Sequence, residues 1–282
     1  MTILEFKRHF KAELSEIYSD SESALLYSIF VEKIVGFNSY LQRKFLHQEL
    51  LIDDEEKLSA IISELKTGKP YQYILGETEF YGMSFFVDEN VLIPRPETEE
   101  LLEFAIGKIK SHSSKNKTLK ILDIGTGSGI IPLVLKKHFP EAEVHAIDFS
   151  ENALKIAKKN SDFHQLEINF IHADYLNLDI KETFDIIISN PPYIGIDEEV
   201  EINDSVKEFE PKMALFSPTS DALIFYRKIA DDSKKYLSKG GLLFLEINQK
   251  LGKETLDLYK DFSHAELIKD LSENDRFIFG IN

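Results

Sequence analysis

An apolar run that begins at Phe184 stops abruptly at Asn190, Pro191, Pro192 and Tyr193, giving F-D-I-I-I-S-N-P-P-Y. Pro191 and Pro192 lack an N–H and have a fixed φ, so the chain cannot continue a sheet there. The residue before each proline is also pushed out of helical space. The result is a short rigid lip that offers the Asn190 side chain, main-chain carbonyls and the Tyr193 ring. Such a set suits a planar, conjugated NH2 group: Asn190 oxygen and a main-chain carbonyl accept its two N–H bonds, and Tyr193 stacks on its π system. An amide or exocyclic amine is a poor nucleophile because its lone pair is delocalised, so fixing its N–H bonds and aiming that lone pair is useful chemistry. The same residues also make an ordinary strand-ending turn.

A second group of residues decides between these readings. D-I-G-T-G-S-G, Asp123 to Gly129, follows an apolar stretch and opens a helical one. The glycines let a backbone approach a ligand closely at the carboxyl edge of a sheet. Asp148 ends the next strand, about 20 residues further on, where an acid takes the two hydroxyls of a ribose. Gly125, Gly127 and Gly129 give G-x-G-x-G, with Ile130 where the dinucleotide fingerprint needs its third glycine. Asp123 puts negative charge at the strand mouth, repelling a pyrophosphate and attracting an ammonium or a sulfonium. S-adenosylmethionine carries both cations, and Thr126 and Ser128 complete the turn that would hold it. In H-A-D-Y, Asp174 and Tyr175 are placed to meet the adenine with a carboxylate and a ring, or they close a polar strand end.

These groups must be positioned by alternating strands and helices. Strands are expected at Leu119 to Ile124, Val144 to Ile147, Ile168 to Ile171, Asp185 to Ser189, Leu242 to Ile247, Ala265 to Ile268 and Arg276 to Gly280. Helices are expected at Ile130 to His138, Asn152 to Asn160 and Ala222 to Leu237. Such alternation implies a parallel sheet flanked by helices, with an antiparallel strand at its end. Ile186, Ile187 and Ile188 are continuous rather than alternating, which suits a central strand covered on both faces.

Residues 3 to about 75 instead carry helical periodicity. Ile3, Phe6, Phe10, Leu14 and Ile17 mark one face, and Leu25, Leu26, Ile29, Phe30 and Ile34 a second that ends at Gly36. Asp53 with Glu56 reads as a capping box before Leu58, Ile61, Ile62 and Leu65. Tyr27, Tyr40 and Phe45 read as core. E-T-E-F-Y-G-M-S-F-F-V, Glu77 to Val87, is a hairpin between two domains. In V-L-I-P-R-P-E-T-E-E, Pro96 starts a helix, and Arg95, pinned between prolines, ties the linker by an ion pair or faces a ligand, the former being favoured. Ser111 to Thr118 reads as a loop.

Composition narrows the function classes. The 282 residues hold 33 Lys+Arg against 49 Asp+Glu, net −16, which argues against affinity built on neutralising many phosphates. Cysteine is absent, so disulfides and thiolate metal sites are excluded, and no metal is expected. The N-terminus has no signal-peptide core and no apolar run reaches membrane-spanning length. A soluble cytoplasmic protein without membrane or stable nucleic-acid partners is the expectation.

With these motifs in view, the chain resembles the HemK/PrmC family of glutamine N5-methyltransferases that modify class 1 peptide-chain release factors. The resemblance rests on Y-I-L-G-E-T-E-F-Y-G, L-I-P-R-P-E-T-E, D-I-G-T-G-S-G, N-P-P-Y, F-E-P-K-M-A-L and N-D-R-F, which span nearly the whole length. It implies an α/β fold, a Rossmann-like S-adenosylmethionine-dependent methyltransferase domain with a mostly parallel seven-stranded sheet. A helical substrate-recognition domain would occupy residues 1–76, a β-hairpin linker 77–95 and the methyltransferase domain 96–282. Gly125 to Gly129, Asp148 and Tyr175 would hold the cofactor, and Asn190 to Tyr193 the glutamine of the release factor's Gly-Gly-Gln motif, with S-adenosylhomocysteine as product. Asn190 would serve catalysis and also touch the cofactor. Two other substrates fit the same chemistry, a ribosomal-protein glutamine and the N6 of adenine in DNA.

Overall fold

Residues 1–112, 118–195 and 204–282 are described by the computed structural model, in which the chain forms two compact units, Met1–Gly76 and Glu77–Asn282.

The first unit holds α1 (Ile3–Leu14), α2 (Asp20–Val35), α3 (Ser39–Lys44), α4 (Ile52–Leu65) and α5 (Tyr71–Leu75). Phe6, Phe10, Phe30, Leu58 and Leu65 fill its core, as the spacing of apolar residues requires. Thr2 with Glu5 and Ser19 with Glu22 make reciprocal capping boxes on α1 and α2. Gly36 ends α2 in the left-handed conformation, its N–H donating to the Glu32 carbonyl. Asp53 does not cap α4: the helix starts at Ile52, so Asp53 lies within its first turn, where Asp53, Asp54 and Glu55 face the positive end of the helix dipole. Tyr40 is 61% exposed rather than core, because α3 has only six residues and turns Gln42 inward instead. Gln42 is retained there by bonds from its amide to the Ser28 and Phe37 carbonyls. Ile17 and Leu25 also lie at the surface.

The second unit opens with the hairpin β1 (Glu77–Phe80) and β2 (Met83–Phe86), followed by α6 (Pro96–His112). Of the polar stretch expected as a loop, Ser111 and His112 finish α6, and residues 113–117 lie outside the described residues. Then come β3 (Lys120–Ile124), α7 (Ile130–His138), β4 (Glu143–Asp148), α8 (Glu151–His164), β5 (Asn169–His172) and β6 (Phe184–Ser189). The chain continues through α9 (Asp204–Phe209), α10 (Lys212–Leu215), α11 (Ile224–Tyr236), β7 (Leu237–Glu246), α12 (Gly252–Asp257), β8 (His264–Lys269) and β9 (Asp275–Ile281).

Seven strands form one sheet in the order β5-β4-β3-β6-β7-β9-β8. β3 to β7 pair in parallel, and β9 is antiparallel to both β7 and β8. This is a Rossmann-like α/β sheet. The continuous apolar runs are explained by burial on both faces. Ile121, Ile186, Ile188, Leu242 and Phe244 pack with α6 and α7, whereas Leu122, Ile187, Leu243 and Leu245 pack with α11 on the other side. From β3 the chain moves outward to β4 and β5, then returns to add β6 and β7 on the other flank. The reversal falls between β3 and β6, the place where open α/β sheets leave a crevice beyond their strand ends.

Asn160, completely buried on α8, joins three parts of this unit. Its oxygen accepts from the Phe86 N–H at 2.7 Å, and its nitrogen donates to the Phe86 carbonyl at 3.0 Å and to the Ser128 carbonyl at 2.9 Å. The hairpin and the glycine turn are thereby fixed to one helix. Asn160→Ala removes the side-chain partner of these buried and part-buried main-chain groups and should lower unfolding free energy by about 2–4 kcal/mol. Urea denaturation checks this, and an unshifted midpoint would refute the tie.

Candidate active site

Glycine decides the local path after β3. Gly125, Gly127 and Gly129 all have positive φ, 78°, 55° and 82°, a region that costs other residues about 1–2 kcal/mol. They serve different ends. A Cβ on Gly125 would lie 3.9 Å from the Asn190 carbonyl, whereas one on Gly129 would meet the Ala157 Cβ at 3.0 Å. Gly129 therefore lets α7 start close against α8, and Gly125 lets the turn run beside the Asn190 lip.

Beyond these strand ends lies a cavity of about 450 Å³, within the range of small-molecule sites, about 300–1,000 Å³. Gly125, Gly127, Asp148, Asp174, Tyr175, Asn190, Pro191 and Pro192 line it. The Asp148 carboxylate receives the Gly127 N–H and the Ser150 N–H, each at 2.8 Å. Burial raises its pKa, against the lowering effect of these N–H groups. Asp174 is turned back on its own loop, accepting from the Leu176 N–H and the Asn177 amide. Tyr175 is buried, its hydroxyl has no hydrogen-bond partner among the described residues, and the Lys228 amine lies 5.1 Å from its ring centre.

A neighbouring cavity of about 410 Å³ is lined by Leu92, Arg95, Asn190, Tyr193, Ile194, Val206, Ala214 and Leu215. Asn190 thus has a share in both, while Tyr193 faces only the second. Arg95 pairs with the buried Glu210 at 2.5 Å, and Glu210 also accepts from the Ile93 N–H. This ion pair ties the Pro-Arg-Pro segment to the chain before α10.

Four expected cofactor residues do not line the first cavity. Thr126, Ser128 and Gly129 form the inner side of the turn. Asp123 differs most from expectation: it is fully buried, shares a sheet face with Ile121, and among the described residues neither of its oxygens has a hydrogen-bond partner. Burial pushes its pKa up to about 7, with the nearby Thr126 hydroxyl favouring ionisation and Asp148 opposing it. Near neutral pH the Asp123 carboxyl is therefore only partly ionised.

Sequence reasoning also missed part of the wall. Asn90, Val91 and Leu92 lie on one side, and Lys212, Met213, Phe216, Ser217, Pro218 and Phe225 on another. The signal was present in L-I-P-R-P-E-T-E and F-E-P-K-M-A-L, segments that carry the resemblance without having been assigned to the site.

The donor set fits S-adenosylmethionine. A carboxylate held by two main-chain N–H groups suits a ribose diol, Tyr175 with Ile147 and Leu176 makes an apolar wall for a flat base, and the glycine turn admits close backbone approach. Among the described residues, no helix is long and apolar enough to cross a membrane.

A family model described as Methyltransferase small domain matches residues 108–208. The release factor glutamine methyltransferase of Flavobacterium psychrophilum is 44% identical over 285 residues, covering 99% of this chain and 98% of that protein. Its namesake from Streptococcus pneumoniae is 37% identical over 275 residues, 97% of this chain and 95% of that one. Among solved structures, a 16S rRNA methyltransferase of T. thermophilus in complex with AdoMet and guanosine has a TM-score of 0.53 and 21% identity, covering 73% of this chain and 49% of that one. That likeness is one of fold.

The buried Asp123 gives stability a pH dependence. Its carboxyl, ordinarily titrating at 3.8, is pushed up to about 7 in the fold by burial. The folded form keeps a proton that the unfolded chain releases, so this group's stabilising effect is complete below about pH 4 and is lost as pH rises through about 7. Asp123→Asn should therefore unfold about 2–4 kcal/mol less readily than the parent near pH 8, with little difference near pH 4. Denaturation of both proteins at the two pH values measures this, and equal stability near pH 8 would contradict the burial argument.

Proposed function

The chain belongs to the release factor glutamine methyltransferase family, and from that premise we propose that it methylates the side-chain amide nitrogen of the Gly-Gly-Gln glutamine in class 1 release factors. S-adenosylmethionine supplies the methyl group on an activated sulfonium and leaves as S-adenosylhomocysteine. The observation that carries this reading is the place of Asn190 in the walls of both cavities. A cofactor beside Gly125, Gly127 and Asp148 and a glutamine beside Tyr193 and Arg95 would meet at that residue.

Each side chain then has a defined task. Asp148 accepts from the ribose hydroxyls, and Tyr175 and Asp174 border the base. Asn190, through its side-chain oxygen, and a neighbouring main-chain carbonyl accept the two N–H bonds of the substrate amide, leaving its nitrogen lone pair directed at the methyl. Pro191 and Pro192 keep the lip from relaxing. The nitrogen becomes cationic as its bond to carbon forms, and its proton leaves afterwards, so no general base is needed before attack. What the protein contributes is position and a fixed dipole. The helical unit, residues 1–76, serves to recognise the release factor, with residues 77–95 as the linker to the catalytic part, residues 96–282. A substrate that works in translation puts the enzyme in the cytoplasm, and the net charge of −16 supports a protein partner over a nucleic acid.

Methyl-labelled cofactor offered separately with a release factor, with that factor lacking its Gly-Gly-Gln glutamine, with ribosomal proteins and with duplex DNA tests the substrate. Label is expected in the intact release factor alone, and label in DNA or ribosomal protein instead would overturn the assignment. Asn190→Ala should lose turnover by about 100-fold or more, as when one oriented polar group is removed from other transition states. Cofactor binding, read by calorimetry, should remain.

A further inference from the structure

Behind Asn190 stands a chain of buried polar groups that the proposed reaction has not used. The Asn190 amide nitrogen donates to the Thr98 hydroxyl oxygen at 3.1 Å, and the Thr98 hydroxyl donates to a carboxylate oxygen of Glu246 at 2.8 Å. Thr98 sits in the first turn of α6 and Glu246 at the end of β7, with exposures of 2% and 1%. The direction of the chain follows from chemistry. An ionised carboxylate can only accept, so Thr98 must donate to it, which leaves the Thr98 oxygen with only lone pairs to offer Asn190. Only the NH2 end of the Asn190 carboxamide can meet those lone pairs. Its oxygen is thereby the end left for a ligand.

We propose that Glu246 is a positioning residue which, through Thr98, fixes the orientation of the Asn190 carboxamide so that oxygen and not nitrogen meets the substrate amide. This inference rests on the reading of Asn190 as the group that holds the glutamine nitrogen. A neutral residue at 246 would not impose the direction: a glutamine or a protonated glutamate can donate to Thr98, freeing its hydroxyl hydrogen to point at Asn190 and admitting the flipped carboxamide. The flipped form presents N–H to N–H and cannot hold the substrate.

The groups facing Glu246 come from several elements. Burial pushes its pKa up to about 7, against the Thr98 hydroxyl, Arg276 on β9 and the Tyr193 hydroxyl, which favour its charged form, and with Glu97 on α6, which opposes it. From α11 the Tyr226 hydroxyl donates to its main-chain carbonyl at 3.1 Å. The relay is therefore set above about pH 7 and released below it.

Wild type, Glu246→Gln, Thr98→Val, Thr98→Ser and Asn190→Ala, each as the full chain, would be assayed with methyl-labelled cofactor and release factor from about pH 5.5 to 9, with kcat and cofactor binding measured separately. Wild-type kcat should fall on the acid side of about pH 7; Glu246→Gln should lose about 10- to 30-fold in kcat at about pH 8, lack that acid limb, and bind cofactor within about threefold of wild type. Thr98→Val should lose kcat to a similar extent, and Thr98→Ser, which restores a hydroxyl, should recover to within about threefold. Glu246→Gln with wild-type kcat and an intact acid limb, or Thr98→Ser as poor as Thr98→Val, would overturn the relay while leaving the assigned reaction standing if Asn190→Ala is inactive. Should Glu246→Gln fail to fold, the valine and serine pair decides. No label in release factor from the wild type overturns the underlying reading, and the relay with it.

Discussion

Parallel pairing of β3 with β6 is the constraint on which the site depends. The two strands run side by side from Ile121 opposite Ile186 to Ile124 opposite Ser189, and the buried Ser189 hydroxyl donates to the Ile124 carbonyl at 2.6 Å, clamping their ends. Because they end together, the glycine turn and the Asn-Pro-Pro-Tyr lip leave the sheet as neighbours, close enough for Gly125 to abut the Asn190 carbonyl. Neither segment could make a shared cavity wall alone. The adjoining strands extend the same logic outward: β4 ends in Asp148, and β5 leads to Asp174 and Tyr175, so successive strand ends bring successive groups to one crevice.

How legible this was depended on whether a residue's role is set by its near neighbours in sequence. Strand runs, the helix after the glycines, and the antiparallel end of the sheet follow from local period and composition, and they match the observed elements within a few residues. β7 departs most, starting at Leu237 rather than Leu242, since Gly240 and Gly241 join the strand through an irregularity opposite Phe184 and Ile186. Gly241 has no room for a Cβ there, which would lie 2.9 Å from the Asp185 carbonyl. Roles set by distant packing were not readable in this way. Asn160 looks like an ordinary helix residue until Phe86 and Ser128 are beside it. Tyr40 satisfies a helical period, but a helix of six residues leaves it outside. Met213 and Phe216 become cavity wall only because the chain after β6 returns across the strand ends.

Asp123 shows the same limit in electrostatics. Its position in the motif announces a charge, yet burial beneath the turn decides how much charge it carries. Burial also raises the pKa of Asp148 and of Glu246. Three acids around the strand ends are thus held where ionisation is costly, although they count in full toward the formal net charge of −16. Such groups lower the stability of the ligand-free fold, and a cationic ligand nearby would offset part of that cost.

A neutral carboxamide at the reacting point is consistent with this distribution. In the proposed transfer, positive charge passes from sulfur to the substrate nitrogen. A carboxylate at position 190 would attract the sulfonium strongly before reaction, and stabilising ground and transition states alike does not raise turnover. It would also be subject to the burial that raises its neighbours, and once protonated it would offer a hydrogen where an acceptor is needed. The Asn190 oxygen has a smaller, fixed dipole that strengthens its bond to the N–H as that nitrogen becomes cationic. In that proposal, selectivity for the transition state comes from the direction in which the carboxamide is held, so the buried groups behind Asn190 bear on catalysis through their hold on it.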